Sequence, residues 1–586
     1  MNRGHLIGVV VLVVVCLAAP QSATAQTGAI KGQVLDAETM APVVGATVMI
    51  VETQDGTAAD ASGSFTITDL APGSYTVRVQ SVGYAAQSLT DIIVRSNRST
   101  PVPVRLALSA VALEGQTVET GYFRDSEEKQ TSTIGFSTEE IRRSPGSAGD
   151  VSRIMFVLPS VAKVNDMVNN LIVRGGSPHE NAFYLDGIEI PNINHFPFRG
   201  TTGGAIGLLN VDFIQDVEFS AGAFPATYGN RMSSVMDLQF REGTRDGFDG
   251  QLDLNFAGFG AAGEGPIGTK GSYLVSARRS YLDLLVDAVG IGVAPRYSDY
   301  QGKAVYDLSP AHRLSLIGVG STDFIEFDRE DALDIDDLVY GEYDNYLYAA
   351  GVNWRWLWGR SGYSTTSLST LGTRQKSLFY ETNTTKLWQR ETALERAVQI
   401  RNVNHVRLSP SHHVEVGVEG KHRFDDYDTY TAEGTNPAGD TVPPIAYQKN
   451  VNADEVGAFV SYTWQAASRL SFTPGVRFDY FSLNENSHVS PRFSASLGLS
   501  ERTTLTGAAG VYYQPLPLVL LSQHDEHLSL KDPRANHYVA GIRHLLSDDV
   551  QLTVEGYFKD YYDSPVDPEQ PLLFTADEMV YRYFFG

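Results

Sequence analysis

From residue 246 onward, apolar and polar side chains alternate in one short segment after another. Leu252, Leu254 and Phe256 alternate with Gln251, Asp253 and Asn255. Val550, Leu552, Val554, Gly556 and Phe558 alternate with Gln551, Thr553, Glu555, Tyr557 and Lys559. Residues 412–419, 472–480 and 503–511 behave likewise. Successive side chains of a strand point to opposite faces, so the pattern predicts many strands with one apolar and one polar face. A membrane barrel needs that division, apolar toward lipid and polar toward the lumen, but a soluble sandwich alternates too. Two features favour the barrel. Polar, acidic stretches expected as long loops, Asp323 to Asp344 and Asp425 to Gln448, alternate with short turns. Aromatics gather at strand ends, where Trp354, Trp356 and Trp358 share one face as an interfacial girdle would place them.

The pattern changes upstream. Residues 26–107 read as a small β-sandwich, with Val34, Val48, Ile50, Phe65, Ile67, Tyr75, Val77 and Val79 on short strands between turns at Gly56, Gly63 and Pro72-Gly73. Residues 108–129 form an extended linker. Residues 130–245 read as a compact α/β unit. Helices are expected at Thr138–Ile141 and Ser147–Leu158, and strands at Leu171–Gly176, Ala182–Ile190 and Val217–Phe219. Residues 1–25 carry a signal peptide: Arg3, the apolar run Leu6 to Ala19, and Ala23-Thr24-Ala25 before Gln26. An uncleaved anchor is the alternative, but the run is short for a span. After Gln26 no apolar run is long enough for a membrane helix, Leu516 to Leu521 included.

Composition narrows the function. Acids outnumber bases 69 to 45 for a formal charge of -24, which disfavours nucleic acid as a partner. The one cysteine, Cys16, lies in the signal peptide, so disulfide and thiolate-metal scaffolds are excluded. The chain shows no H-E-x-x-H, G-x-S-x-G or P-loop, so no catalytic, cofactor or metal site is expected. The His524-Asp525-Glu526-His527 cluster and the acids between Asp323 and Asp337 read as solvated loops.

Particular residues carry resemblances. Gly32, Asp36, Pro42, Gly45 to Val48, Asp60, Gly63, Phe65, Leu70 to Tyr75 and Gly83-Tyr84 resemble carboxypeptidase-regulatory-like domains, non-catalytic sandwiches of transthyretin-like fold. Ile172 to Gly176, Phe183 to Ile188, Val211 to Phe219 and Ala221 to Arg231 resemble, in order and spacing, the plug of TonB-dependent outer-membrane receptors. Ser276 to Tyr281 and Ser490 to Phe493 resemble barrel strands of the same family.

The resemblance implies a mainly β fold: a small N-terminal β-sandwich, an α/β plug domain and an antiparallel transmembrane β-barrel over residues 246–586. Barrels of this type have about 22 strands and need well over 400 residues. Roughly 15 to 16 strand candidates are visible, so a barrel continuing beyond the sequence is expected, with a smaller complete barrel as the alternative. The implied function is uptake of a scarce nutrient (siderophore, cobalamin, oligosaccharide or peptide) across the outer membrane. The implied partners are TonB with its inner-membrane energising complex, outer-membrane lipid, and a small-molecule or oligomeric substrate. The sandwich would lie in the periplasm.

The position of the linker makes Gln116, Thr117, Val118, Glu119 and Thr120 the candidate TonB box. Arg174, Gly175, Gly176, Asp186, Gly187, Tyr228, Gly229 and Arg231 are the plug-motif residues. Arg174 is expected to pair with a carboxylate, in a contact that is either structural or yields when the plug moves. The glycines at 175, 176 and 187 are expected as turn residues. Asn192, Asn194, His195, Phe196, Phe198 and Arg199 are the candidate substrate contacts. Two rival readings are a passive or secretion-type gated barrel and an exported β-sandwich binding or adhesion protein.

Overall fold

The computed structural model describes residues 27–96, 98–108, 131–147, 149–163, 168–197, 203–254, 258–281, 295–334, 336–359, 361–435, 441–523, 525–547 and 550–565. The expected signal peptide, the expected linker segment with Gln116 to Thr120, and Phe198, Arg199 and His524 lie outside them.

The chain divides into two units. The first is built on two four-stranded sheets. Gly28–Asp36 is central in one, beside Ser64–Leu70, and Thr47–Ile50 pairs with Gly73–Gln80 in the other. Ile30, Val34, Val48, Ile50, Phe65, Ile67, Val77 and Val79 fill the space between them. The expected inward positions are therefore buried, except that Tyr75 stays partly exposed.

The second unit holds the plug and the large sheet. The plug sheet runs Ile188–Ile190, Asn181–Leu185, Ser234–Phe240, Ile214–Ser220 and Thr133–Ser137, with one parallel pair between Asn181–Leu185 and Ser234–Phe240. Its first helix, Thr138–Arg143, starts at Ser137, whose hydroxyl accepts from the Glu140 N–H while Glu140 accepts from the Ser137 N–H. The expected second helix is short: Val151–Ile154 continues as a 3-10 turn, Met155–Val157. The expected strand at Leu171–Gly176 shrinks to Ile172–Val173, because Arg174 and Gly175 take positive φ. Strand Ala182–Ile190 splits into a hairpin at Asp186-Gly187, with φ +49° and +78°, a turn that suits glycine at its second position. Val173, Phe183, Val217, Phe219, Met236 and Leu238 form one core with Leu274, Ile317, Val319 and Leu347 of the large sheet. The plug is thus packed against that sheet's inner face.

Among the described residues the large sheet has 15 strands, from Asp249–Leu254 to Val550–Tyr562, each antiparallel to the next in chain order. Turns at 310–311, 410–411, 468–469 and 501–502 lie at one end, and connections at 328–338, 432–444 and 514–533 at the other. The register makes Tyr273, Ala304, Leu316, Val352, Leu368, Ile400, Gly420 and Val456 consecutive partners on the outward face. This continuous apolar row suits contact with hydrocarbon. Trp354 and Trp356 stack at 6.3 Å toward the short-turn end, with His312 against both.

The acidic stretches expected as long loops are largely strand. His312–Phe327 and Val339–Leu357 leave only 328–338 as connection, and Asp425 lies inside His412–Thr431. The strands persist because their inward carboxylates find partners. Asp323 meets His195 and Asn345, and Asp425 accepts from the Arg396 N–H and pairs with Arg423.

Candidate functional site

The candidate site lies where the plug meets the wall, and it begins at Arg174. The guanidinium is buried and reaches Glu555 Oε2 at 2.5 Å and the Ser132 hydroxyl at 3.0 Å, with the Tyr557 ring 4.9 Å away. Glu555 also accepts from the Ser132 N–H at 3.2 Å. On the same strand face, Lys559 donates to the Val173 carbonyl and contacts the Ser233 hydroxyl, both at 3.1 Å. The polar positions of the 550–559 alternation are those that hold the Arg174 loop.

A second set of contacts grips the segment 224–230. Arg492 donates to the carbonyls of Phe224 and Tyr228, at 3.2 and 2.8 Å, and lies over the Phe224 and Tyr512 rings. Arg401 donates to the Thr227 carbonyl at 3.1 Å. Arg477, fully buried, is held by Glu419 and Asp479 and faces the Ala226 and Thr227 carbonyls at 3.4 Å. A Cβ on Gly229 would come within 2.1 Å of the Arg477 guanidinium, so glycine is required there by space. Arg231 donates to the Asn181 carbonyl at 3.0 Å and pairs with Glu189 at 3.3 Å. Burial opposes ionisation of Glu189, yet Lys421 and Arg231 hold its carboxyl at about 2. The Tyr228 hydroxyl donates to Asp237 Oδ2 at 2.6 Å. Burial, reinforced by Glu218, pushes the Asp237 carboxyl up to about 7 against that hydrogen bond. Lys303 binds Asp186 at 2.8 Å, anchoring the plug hairpin.

At the long-connection end, His195 of the plug is fully buried between two wall carboxylates. Nδ1 lies 2.5 Å from Asp323 and Nε2 lies 3.2 Å from Asp299, while Arg278 neutralises Asp299 at 2.6 Å. Burial works against protonation of His195, but the two aspartates outweigh it and raise its pKa above the ordinary histidine value. Two acceptors, one at each ring nitrogen, suit the imidazolium. Asn192 and Asn194 are buried within the plug. Asn194 Oδ1 accepts from Ser152 and Asn169, both at 2.9 Å, and Asn192 donates to the Gly203 carbonyl at 3.1 Å. Phe196 packs with Tyr297 and Tyr343. The candidate substrate contacts from Asn192 to Phe196 thus lie inside the plug and its seat.

The connection 514–533 turns inward at the same end. Leu516 and the short helix Leu518–Leu521 are buried against Ala393, Tyr427, Val451, Ala453 and Phe481 on the inner wall. Too short to span a membrane, this run instead fills part of the lumen. His527 contacts the Leu520 carbonyl at 2.8 Å, a structural use of one residue of the 524–527 cluster.

Of the plug-motif residues expected from the sequence, Arg174 pairs with Glu555, Gly229 lies against Arg477 and Arg231 pairs with Glu189. Asp299, Asp323, Arg401, Arg477 and Glu555 were not among the expected site residues; their signal was a charged residue on the inward phase of a strand. Arg492 and Arg278 had been noted only as parts of barrel-like strands.

Comparison with known proteins finds three family matches along the chain. Residues 29–107 match the carboxypeptidase regulatory-like domain, residues 125–235 the TonB-dependent receptor plug domain, and residues 277–582 the TonB-dependent receptor-like β-barrel. The TonB-dependent transporter Oar of Myxococcus xanthus is 26% identical over 246 residues, which is 40% of this chain and 22% of Oar. The aligned part of this chain therefore spans less than a quarter of that relative. The ferric enterobactin receptor PfeA of Pseudomonas aeruginosa superposes with a TM-score of 0.57 at 17% identity, over 75% of this chain and 73% of PfeA. The siderophore receptor PirA of Acinetobacter baumannii gives 0.58 at 17% identity, over 75% and 72%. These structures show the shared fold.

Proposed function

Because this chain belongs to the TonB-dependent receptors, a non-enzymatic family of outer-membrane β-barrels, we propose that it imports a scarce nutrient by energy-coupled movement of its plug. The observation that carries this reading is the seat of the plug. Arg174 with Glu555, and Arg401 and Arg492 on plug carbonyls, are charge-assisted contacts with specific geometry. They hold a closed state firmly and come apart as discrete units under a pull. The handle is the segment ahead of the plug, with Gln116, Thr117, Val118, Glu119 and Thr120 as the box that adds a strand to periplasmic TonB. The energy comes from the inner-membrane complex behind TonB, and the carboxypeptidase-regulatory-like sandwich faces the periplasm.

In this reading the substrate enters from the long-connection end, and the buried Asn192, Asn194, His195 and Phe196 support the plug from within without meeting it. The substrate is a siderophore, cobalamin, an oligosaccharide or a peptide. PfeA and PirA are siderophore receptors by name, which makes ferric siderophores the first class to assay.

The test is deletion of residues 116–120 in the native host, with uptake of radiolabelled ferric siderophores, cobalamin, oligosaccharides and peptides measured with and without a protonophore. Uptake of one class should vanish on deletion and on uncoupling, while the barrel keeps its heat-modifiable gel migration. Uptake that survives both would make this a passive gated barrel. A protein that fractionates away from the membrane would be an exported binding protein instead.

A further inference from the structure

We propose that the wall holds the plug in a strained backbone conformation, so that the plug is spring-loaded in its seat. The inference rests on the plug-movement reading and adds to it what assists the first displacement. Among the described residues of the plug, six that are not glycine take positive φ: Ser132 (+66°), Arg174 (+49°), Asp186 (+49°), Phe196 (+53°), Ala223 (+52°) and Asn230 (+56°). In this region a Cβ crowds the following carbonyl, which is why glycine is the usual occupant. Asp and Asn tolerate the conformation, and the hairpin turn at Asp186 requires it. Ser132, Arg174, Phe196 and Ala223 have no such allowance.

Each of the six is also a point where the plug touches the wall. Ser132 donates its N–H and its hydroxyl to Glu555, at 3.2 and 3.3 Å. Arg174 pairs with the same carboxylate. Lys303 binds the Asp186 carboxylate, and Asn353 donates to the Asp186 carbonyl at 2.7 Å. Phe196 meets the Tyr297 ring edge to face, with centroids 6.2 Å apart. The Ala223 N–H donates to His537 Nδ1 at 3.2 Å, and Asn230 donates to Glu455 at 2.9 Å. Among the described residues of the large sheet and its connections, the non-glycine residues of positive φ are Asp336, Thr385, Glu485 and Asp563, all outside the strands. Left-handed backbone in the plug coincides with the seam, whereas beside the sheet it belongs to the connections and the chain after the last strand.

Sparsely populated backbone persists where its surroundings over-determine it. Here the surroundings are wall groups, each fixing one plug residue. When such a contact is lost, the backbone regains its ordinary region and the strain is released. The strain raises the energy of the seated state alone, so it lowers the work of unseating the plug. Two positions separate this backbone effect from side-chain contact. Ala223 hydrogen-bonds the wall through its N–H, which glycine retains. Gly175 has φ +78°, and a Cβ there would meet nothing within 4 Å, so alanine adds strain without a clash.

The test uses the full chain in detergent micelles, with its one cysteine removed as Cys16→Ser. Ala182→Cys then supplies a single thiol, buried in one cluster with Tyr512 and Ala535 of the wall. In moderate urea, maleimide labelling of that thiol reports plug release, and heat-modifiable gel migration reports an intact barrel. Ala223→Gly should slow labelling roughly fivefold, and Gly175→Ala should speed it by a similar factor. The methyl lost at Ala223 packs with Ala508 and Val539, and its loss alone would speed release, so slowing reports the backbone. Ala221→Gly, at a buried residue without positive φ, should not slow labelling. An unchanged rate in either folded variant would mean that the turn keeps its shape after release and stores nothing. Faster labelling in Ala223→Gly, or slowing by Ala221→Gly as well, would equally overturn the proposal. Should Gly175→Ala give no folded barrel, Ala223→Gly decides alone. The assay contains neither TonB nor substrate, so a failure of the uptake reading leaves its outcome intact.

Discussion

Arg174 of the plug meets Glu555 of the strand Val550–Tyr562 at 2.5 Å, across 381 residues of chain. Arg174 is buried and Glu555 is partly so, which makes the pair costly to break from one side: an unpaired guanidinium would remain beside Ser132 and Tyr557. Loss of Glu555 as Glu555→Gln is expected to weaken plug seating by roughly 3 kcal/mol. Limited proteolysis of the intact protein reads this directly: plug cleavage should accelerate, and the combined variant with Arg174→Gln should be less than additive. Strict additivity would mean the two residues act separately.

Gly229→Ala places a methyl group against Arg477, which Glu419 and Asp479 prevent from retreating. A cost of about 1–3 kcal/mol is expected from overpacking. It should appear as easier urea extraction of the plug with unchanged heat-modifiable migration of the barrel. An unaltered urea midpoint would show that Arg477 yields freely.

Asp237 gives the plug an acid-stabilised element. Its folded pKa of about 7 lies above the ordinary carboxylate value of 3.8, so the folded state holds the proton longer than the unfolded one. The contribution is complete below the unfolded pKa and is lost as pH rises from about 4 through about 7. Asp237→Asn keeps an acceptor for Tyr228 and removes the titration. The wild type should lose thermal stability relative to this variant across that window; parallel curves would discount Asp237.

His195 works in the same direction for a different reason. Its folded pKa is raised by Asp299 and Asp323, so the clasp is at full strength below the unfolded histidine pKa and is lost as pH rises through the folded value. Wild type should exceed His195→Gln in melting temperature at pH 6 and converge with it in alkali. A constant gap would indicate a neutral, purely packed ring.

Leu520→Asp should loosen the run that packs on the inner wall, because it buries a charge among Tyr427, Val451 and Phe481. Cells carrying it should gain sensitivity to bulky antibiotics normally excluded by the outer membrane. Unchanged sensitivity with a folded barrel would mean that the plug alone seals this end.

Local pattern carried much of this. The alternation at 550–559 separated the outward face of Val550, Leu552, Val554 and Phe558 from the inward face of Glu555, Tyr557 and Lys559, and those inward residues hold the plug. The residues around Arg174, Asp186-Gly187 and Gly229 were legible because tight turns and close approaches leave few permitted residue types. The acidic stretches misled, since a run of carboxylates reads as solvated loop unless its partners are known. The partners of Asp323 and Asp425 are His195 and Arg423, and the first lies far away in the chain.

The sequence by itself determined the three-segment architecture, the barrel-like strands and the plug motif, because side-chain periodicity and glycine requirements act over a few residues. Tertiary structure alone decided which charges meet. It brings Asp299 and Asp323 to opposite sides of one imidazole and sets Glu555 against Arg174. Coulomb interaction and hydrogen bonding depend on distance in space, and separation along the chain carries no record of it.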